Sequence, residues 1–112
     1  MRMPKDATLL RIYLGEGAKH QGRPLFEVIV EEARTRHMAG ATVLRGPMGF
    51  GHSSRLHTAK ILCLSEDLPL VIEIVDGPER IEAFLAAIDG MIGETGLVTL
   101  EKVQVLRYGR QE

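Results

Sequence analysis

The chain has 112 residues and a formal net charge of -1, a length that suits one domain with a substantial core. This charge gives no bulk attraction to nucleic acid, and 4% aromatic residues without tryptophan argue against a stacking platform for single strands. The lone Cys63 cannot form an internal disulfide, and no apolar run approaches the ~20 residues of a membrane span. The first residues also lack the apolar core of a signal peptide, so we expect a cytoplasmic protein.

The first predicted elements are a strand, a helix and a second strand. Apolar residues alternate along Thr8–Leu14, which indicates a strand with one buried face. After a glycine-containing loop, an apolar stripe at helical spacing follows Pro24, and Gly40 is the predicted stop signal. Ala41–Leu44 is the second predicted strand.

A third strand and a second helix come next. The third strand is predicted at Ala59–Leu64, and the nearly all-apolar run 70–76 extends or restarts it. Asp76 is a candidate N-cap for a helix with Pro78 in its first turn. Apolar residues at helical spacing continue this helix to Gly93.

The last element completes a recognisable order. Leu97–Leu106 reads as a strand whose apolar phase slips, and a bulge near Glu101–Lys102 would explain the slip. The order β-α-β-β-α-β predicts one α+β domain over 1–112, a ferredoxin-like sandwich whose four-stranded antiparallel sheet carries both helices on one face. The other face would expose apolar side chains such as Leu9, and self-association is the simplest way to cover them.

The loop between the second and third strands contains the unusual segment RGPMGFG, residues 45–51. Glycines let backbone N–H groups approach a ligand, and consecutive N–H groups can form an anion-binding nest. The segment is not a Walker loop, because no Gly-Lys-Ser/Thr follows. A wide hairpin turn would account for it equally well, so both interpretations stay open.

Basic residues surround this loop. Arg45, Arg55 and Lys60 bracket it, and Arg107 ends the last strand. Arginine binds phosphate through a planar, bidentate contact, which favours an anionic ligand. The alternative is that these are solvated surface charges, which is the commoner fate of any single arginine.

The loop also carries His52 and His57, with Ser53 and Ser54 between them. A zinc site would need three or four ligands, and no Gly-x-Ser-x-Gly elbow surrounds the serines. A divalent-metal-binding trimer and an uncharacterised small enzyme are therefore alternative functions with less support than ligand binding.

Four segments of the chain resemble a known family. They are LRIYLGEG, GATVLRGPMGFG, LHTAKILCLSEDLP and EIVD, and with them the resemblance covers nearly all of residues 8–108. They are typical of the PII-like proteins grouped as domain-of-unknown-function family 190. More distantly, the chain resembles the PII nitrogen-regulatory signal-transduction proteins.

This resemblance implies a homotrimer with its sheets at the centre and an adenine nucleotide (AMP, ADP or ATP) in each cleft between subunits. The cleft would lie at the base of a mobile loop, here about 46–58. The positions that match the nucleotide site, with two nearby arginines, are Thr42, Arg45, Gly49, Gly51, Arg55, Glu73, Val75 and Arg107. The resemblance implies that the Thr42 hydroxyl meets adenine, Val75 packs on the base and Arg107 meets phosphate or ribose.

The resemblance also implies a regulatory protein rather than an enzyme. Its partner would be a membrane transporter or channel, or a metabolic enzyme, and not nucleic acid. The loop is shorter than in PII and has no tyrosine, so regulation by uridylylation is not implied. Glu94 lies near the position of a phosphate-binding lysine in PII, and its charge opposes a triphosphate. Either nearby basic residues compensate, or the ligand carries fewer charges, as AMP and ADP do, or no nucleotide binds.

Overall fold

The computed structural model describes residues 3–50, 57–58, 68–94 and 96–109. Within these ranges the elements, in chain order, are β1 (Asp6–Gly15), β2 (Lys19–His20), β3 (Arg23–Pro24), α1 (Leu25–Thr35), β4 (Thr42–Arg45), β5 (Met48–Gly49), β6 (His57–Thr58), β7 (Pro69–Asp76), α2 (Pro78–Ile92) and β8 (Leu97–Gln104). Neither of these two helices is long and apolar enough to cross a membrane.

Four of the described strands form the main sheet in the order β4-β7-β1-β8, and every neighbouring pair is antiparallel. Both helices pack on one face of this sheet, so the predicted α+β, ferredoxin-like architecture is confirmed. The apolar run at 70–76 forms most of β7, which pairs with β4. The third strand predicted at Ala59–Leu64 lies outside the described residues.

The core lies between the sheet and the helices because the strands alternate. Every second residue of β1 and β7 points to the helices, as the period of two requires. Each fully buried aliphatic or aromatic side chain stabilises the fold by about 1.5–3 kcal/mol. These fully buried side chains include Leu10, Ile12, Ile29, Ile72, Ile81, Phe84 and Ile88.

The predicted bulge near Glu101–Lys102 is wrong. β8 pairs with β1 in one uninterrupted register, from Asp6 opposite Gln104 to Tyr13 opposite Leu97. β8 is an edge strand, and seven of its eight residues are exposed. Burial therefore imposes little alternation on its sequence, and the slipped apolar phase needs no extra residue to explain it.

The helix boundaries also differ from two predictions. α1 ends at Thr35 rather than near Gly40, because His37 takes the left-handed conformation at φ 56° and the Met38 N–H closes back onto the Ala33 carbonyl at 3.0 Å. Asp76 is not the N-cap of α2. Gly77 occupies that position, and Gly93, with φ 61°, ends the helix as predicted.

Candidate ligand-binding groove

An open groove of about 590 Å³ lies at one end of the sheet, on the face away from the helices. Its volume falls within the range of small-molecule sites. Four parts of the chain form it: Met3 before β1, the entry to β4, the adjoining parts of β1 and β7, and the segment that begins in β8 and continues beyond it. The lining residues are Met3, Leu9, 39–42, Glu73, Val75 and 103–108.

Four of the eight predicted site residues meet in this groove: Thr42, Glu73, Val75 and Arg107. The strand register explains their convergence. Thr42 of β4 lies directly opposite Glu73 of β7, and Val75 lies opposite Leu9 of β1. Residues paired across strands share a face, so these side chains stand on the open side of the sheet. Arg107 reaches the groove from the segment after β8.

The other predicted residues do not join this group in the described part of the chain. Arg45 lies opposite the buried Leu70, on the helix side of the sheet, and its guanidinium bonds the Glu16 carboxylate. Gly49 packs over Pro69, where an added Cβ would lie 3.1 Å from Cγ. A side chain at this position would therefore crowd Pro69. Gly51 and Arg55 lie outside the described residues.

A charged trio crosses the open face beside the groove. Arg11 Nε donates to Glu73 Oε2 at 3.0 Å, and its Nη1 donates to Glu101 Oε1 at 3.3 Å. The hydrogen bond to Glu73, aided by the Glu101 charge, raises the pKa of Arg11 above its ordinary value. Arg11 therefore stays charged and offsets the carboxylate in the groove. Glu73 is a paired, half-buried group on a central strand.

The turn at residues 37–39, which brings Ala39 to the groove wall, is anchored by hydrogen bonds from several directions. The Ala39 N–H donates to Asp76 Oδ2 at 2.9 Å, and Arg80 Nη2 donates to the His37 carbonyl at 2.6 Å. Asp76 is fully buried and also accepts from Arg80 Nε at 3.1 Å. On the groove side, the Tyr108 hydroxyl donates to the Ala39 carbonyl at 2.5 Å.

Sequence reasoning missed Arg11, Asp76 and Tyr108 as members of this arrangement. Arg11 looked like one charge on the outer face of a strand, and only the strand register brings it between two carboxylates. Asp76 carried a signal, since it stands between an apolar strand and a helix start, but that signal was taken for a helix cap. The position of Tyr108 shortly after the last strand gave no indication of its partner.

The metal alternative finds no support within the described ranges, where no group of three or more His, Cys, Asp or Glu residues could hold a metal ion. His52, Ser53, Ser54 and Cys63 lie outside those ranges, and for His57 only the backbone is described.

Comparison with solved structures agrees with this architecture. The fold is similar to that of CPII, a nitrogen regulatory PII-like protein from Thiomonas intermedia K12 whose structure was determined bound to ADP, AMP and bicarbonate. The TM-score is 0.69 at 17% sequence identity, and the match covers 91% of this chain and 90% of CPII. At this identity the similarity establishes the fold alone.

Sequence comparison is more specific. A UPF0166 protein of Aquifex aeolicus is 39% identical over 106 residues, which is 95% of this chain and 98% of that protein. A UPF0166 protein of Methanocaldococcus jannaschii is 33% identical over 101 residues, or 90% of this chain and 93% of that protein. The family model DUF190, described as Uncharacterized ACR, COG1993, matches residues 7–105. The chain therefore belongs to the DUF190 family and has a PII-like fold.

Proposed function

We propose that the protein is a PII-like regulatory protein that binds an adenine nucleotide in this groove. The observation that carries the proposal is the convergence of Thr42, Glu73, Val75 and Arg107, which span 65 positions of sequence, on one groove of about 590 Å³. These four residues match the nucleotide site of PII proteins by sequence. Their meeting on one surface is a separate, geometric reason to assign them one ligand.

The groove has the chemical character that a nucleoside phosphate requires. Val75 and Leu9 give it an apolar floor, against which a purine base can pack. Thr42 offers a hydroxyl beside that floor. Arg107, in the wall formed by the last segment, supplies a guanidinium for phosphate.

The ligand we expect is AMP or ADP rather than ATP. Arg45, which might have balanced a triphosphate, is engaged by Glu16 on the other side of the sheet. Glu73 already places a carboxylate in the groove, offset by Arg11. A ligand with fewer charges meets less repulsion there. The ADP and AMP bound by CPII, a protein of the same fold, are consistent with this choice.

We further propose that the groove is completed by a second copy of the chain in a homotrimer. An apolar row crosses the open face, formed by the cross-strand neighbours Leu44, Val71, Tyr13 and Leu97. Leu44 is 51% exposed and Leu97 is 58% exposed. Leu106, in the groove wall, is 91% exposed. An exposed apolar row of this kind is typical of a surface that another chain covers.

Regulation would pass through the loop at about 46–58. Its two ends pair as the short antiparallel strands β5 and β6, with Met48 opposite Thr58 and Gly49 opposite His57. Ligand contacts that exist in only one loop arrangement would shift the population toward it, and the altered loop would then bind a partner in the cytoplasm. A membrane transporter or channel, or a metabolic enzyme, is the partner class we propose. In this role the protein performs no catalysis of its own.

Isothermal titration calorimetry with AMP, ADP and ATP tests the proposal, alongside light scattering for the trimer. Arg107→Ala should weaken AMP and ADP binding roughly tenfold or more, because a charged hydrogen bond to phosphate contributes about 1.5–3 kcal/mol. Lys102→Ala, an exposed cation on the helix side of β8, is the matched control and should bind normally. Equal affinity of Arg107→Ala and the wild type would remove the assigned site, and no heat with any adenine nucleotide would refute the function.

A further inference from the structure

The segment after β8 crosses the groove. The Val105 N–H donates to the Lys5 carbonyl at 2.7 Å, so at Val105 the chain still continues the β8 edge, beside the start of β1. Three residues later, Tyr108 reaches the Ala39 carbonyl, just before β4 at the opposite edge. Three residue steps of extended chain cover at most about 10 Å, and the Tyr108 side chain makes up the rest of the distance to Ala39. Residues 105–108, the strap, therefore run along the groove from beside β1 toward the turn before β4.

The two ends of the Tyr108 hydrogen bond differ in how firmly they are held. Its acceptor, Ala39, is fixed from behind because its N–H bonds the fully buried Asp76 carboxylate. Its donor belongs to an exposed segment, in which Leu106 is 91% and Tyr108 is 36% exposed. When this hydrogen bond breaks, the strap is the side that can move.

We propose that Tyr108 is a positioning residue that clasps the strap over the groove and so holds its neighbour Arg107 against a bound nucleoside phosphate. This inference rests on the proposed function. A phosphate that contacts Arg107 only when the strap is closed stabilises the closed form, and the clasp in turn slows release of the ligand. The ligand class is a nucleoside mono- or diphosphate, and entry and release require the clasp to open.

Tyr108→Phe tests the clasp, because it keeps the ring and removes only the hydroxyl. Trypsin cleaves after arginine, so cleavage of the bond between Arg107 and residue 108, followed by mass spectrometry, reports how often the strap opens. Loss of one neutral hydrogen bond should raise the cleavage rate of the ligand-free protein by about 2- to 12-fold. The substitution also changes the residue that follows the cleaved bond. Trypsin cleavage rates of the unfolded wild type and the unfolded variant measure that intrinsic effect, and the rates of the folded proteins are corrected for it.

The second measurement is the dissociation rate of a fluorescent ADP analogue by stopped flow. Tyr108→Phe should release it faster by the same factor of about 2 to 12, and saturating ADP should protect the wild-type strap more than the variant strap. Lys102→Ala changes an exposed side chain on the helix side of β8, away from the groove, and should match the wild type in both assays.

The outcomes separate the clasp from the proposed function. If the wild type binds AMP or ADP and Tyr108→Phe matches it in cleavage and in release, the clasp is wrong and the nucleotide site stands. If the wild type binds neither nucleotide, the proposed function and the coupling to ligand both fail. Faster cleavage of ligand-free Tyr108→Phe would then support a strap held by Tyr108 without a nucleotide role, and unchanged cleavage would overturn that as well.

Discussion

Replacement of Asp76 by alanine should be among the most destabilising single changes in this protein. The carboxylate is fully buried and accepts three hydrogen bonds: from the Gly77 N–H at 2.7 Å, from the Ala39 N–H at 2.9 Å and from Arg80 Nε at 3.1 Å. These bonds tie the end of β7 both to the start of α2 and to the turn before β4. One side chain therefore joins three elements.

The magnitude follows from the groups left without a partner. Asp76→Ala leaves the buried Gly77 N–H and the part-buried Ala39 N–H without their acceptor, and a fully buried unsatisfied donor costs about 1–3 kcal/mol. Arg80 loses less, because its side chain is 44% exposed and its Nη2 still donates to the His37 carbonyl. Removal of one partner from a buried charged network typically costs about 3–5 kcal/mol, and we expect a loss in that range.

Urea unfolding at a fixed protein concentration measures this loss. With an m-value of about 1.5–2 kcal/mol/M, the midpoint should fall by about 2 M. Asp6→Ala, which removes an exposed aspartate at the start of β1, should change stability by no more than about 0.5 kcal/mol. A loss below about 1 kcal/mol for Asp76→Ala, with a normal control, would refute the view that this carboxylate holds the three elements together.

Two paired substitutions test packing and assembly. Gly96→Ala should lower the free energy of unfolding by about 1–3 kcal/mol, because an added Cβ would lie 2.5 Å from Ile92 Cγ2. Its control, Gly90→Ala, has nothing within 4 Å of the added Cβ and should stabilise α2 by about 0.5–1 kcal/mol. Thermal or urea unfolding measures both. If Gly96→Ala proves neutral, the close approach is wrong. Leu97→Asp should yield monomers in sedimentation experiments, because it places a charge in the apolar row of the open face. Leu100→Asp, equally exposed on the helix side of the same strand, should leave assembly intact, and identical behaviour of the two variants would contradict the proposed interface.

Much of the fold was accessible from pattern alone. The alternation in β1, the helical stripes of α1 and α2 and the near-continuous apolar run of β7 each reflect a burial requirement that acts on consecutive residues. Prediction failed where burial imposes no pattern. β8 lies at an edge and is almost entirely exposed, so its sequence could not reveal its register, and the bulge inferred from it does not exist.

The candidate site divides in a similar way. The resemblance of short segments to PII-like proteins selected Thr42, Glu73, Val75 and Arg107, and the structure brings these four together. The structure also separates Arg45 from this group. Its place beside the glycine-rich loop suggested a phosphate contact, but its position in β4 turns its side chain to the helix side of the sheet. Proximity in sequence could not decide this, because successive residues of a strand point to opposite faces.

By itself, the amino-acid sequence determined the order of elements, the buried faces and the family, because these depend on local periodicity and on residues near one another in the chain. Tertiary structure alone decided that Arg11 stands between two carboxylates, that Asp76 anchors the turn before β4 and that Tyr108 spans the groove to Ala39. Each of these contacts joins residues at least 37 positions apart, except the bonds Asp76 makes within its own turn. Such contacts exist only once strand register and chain crossing are set by the packing of the whole sheet.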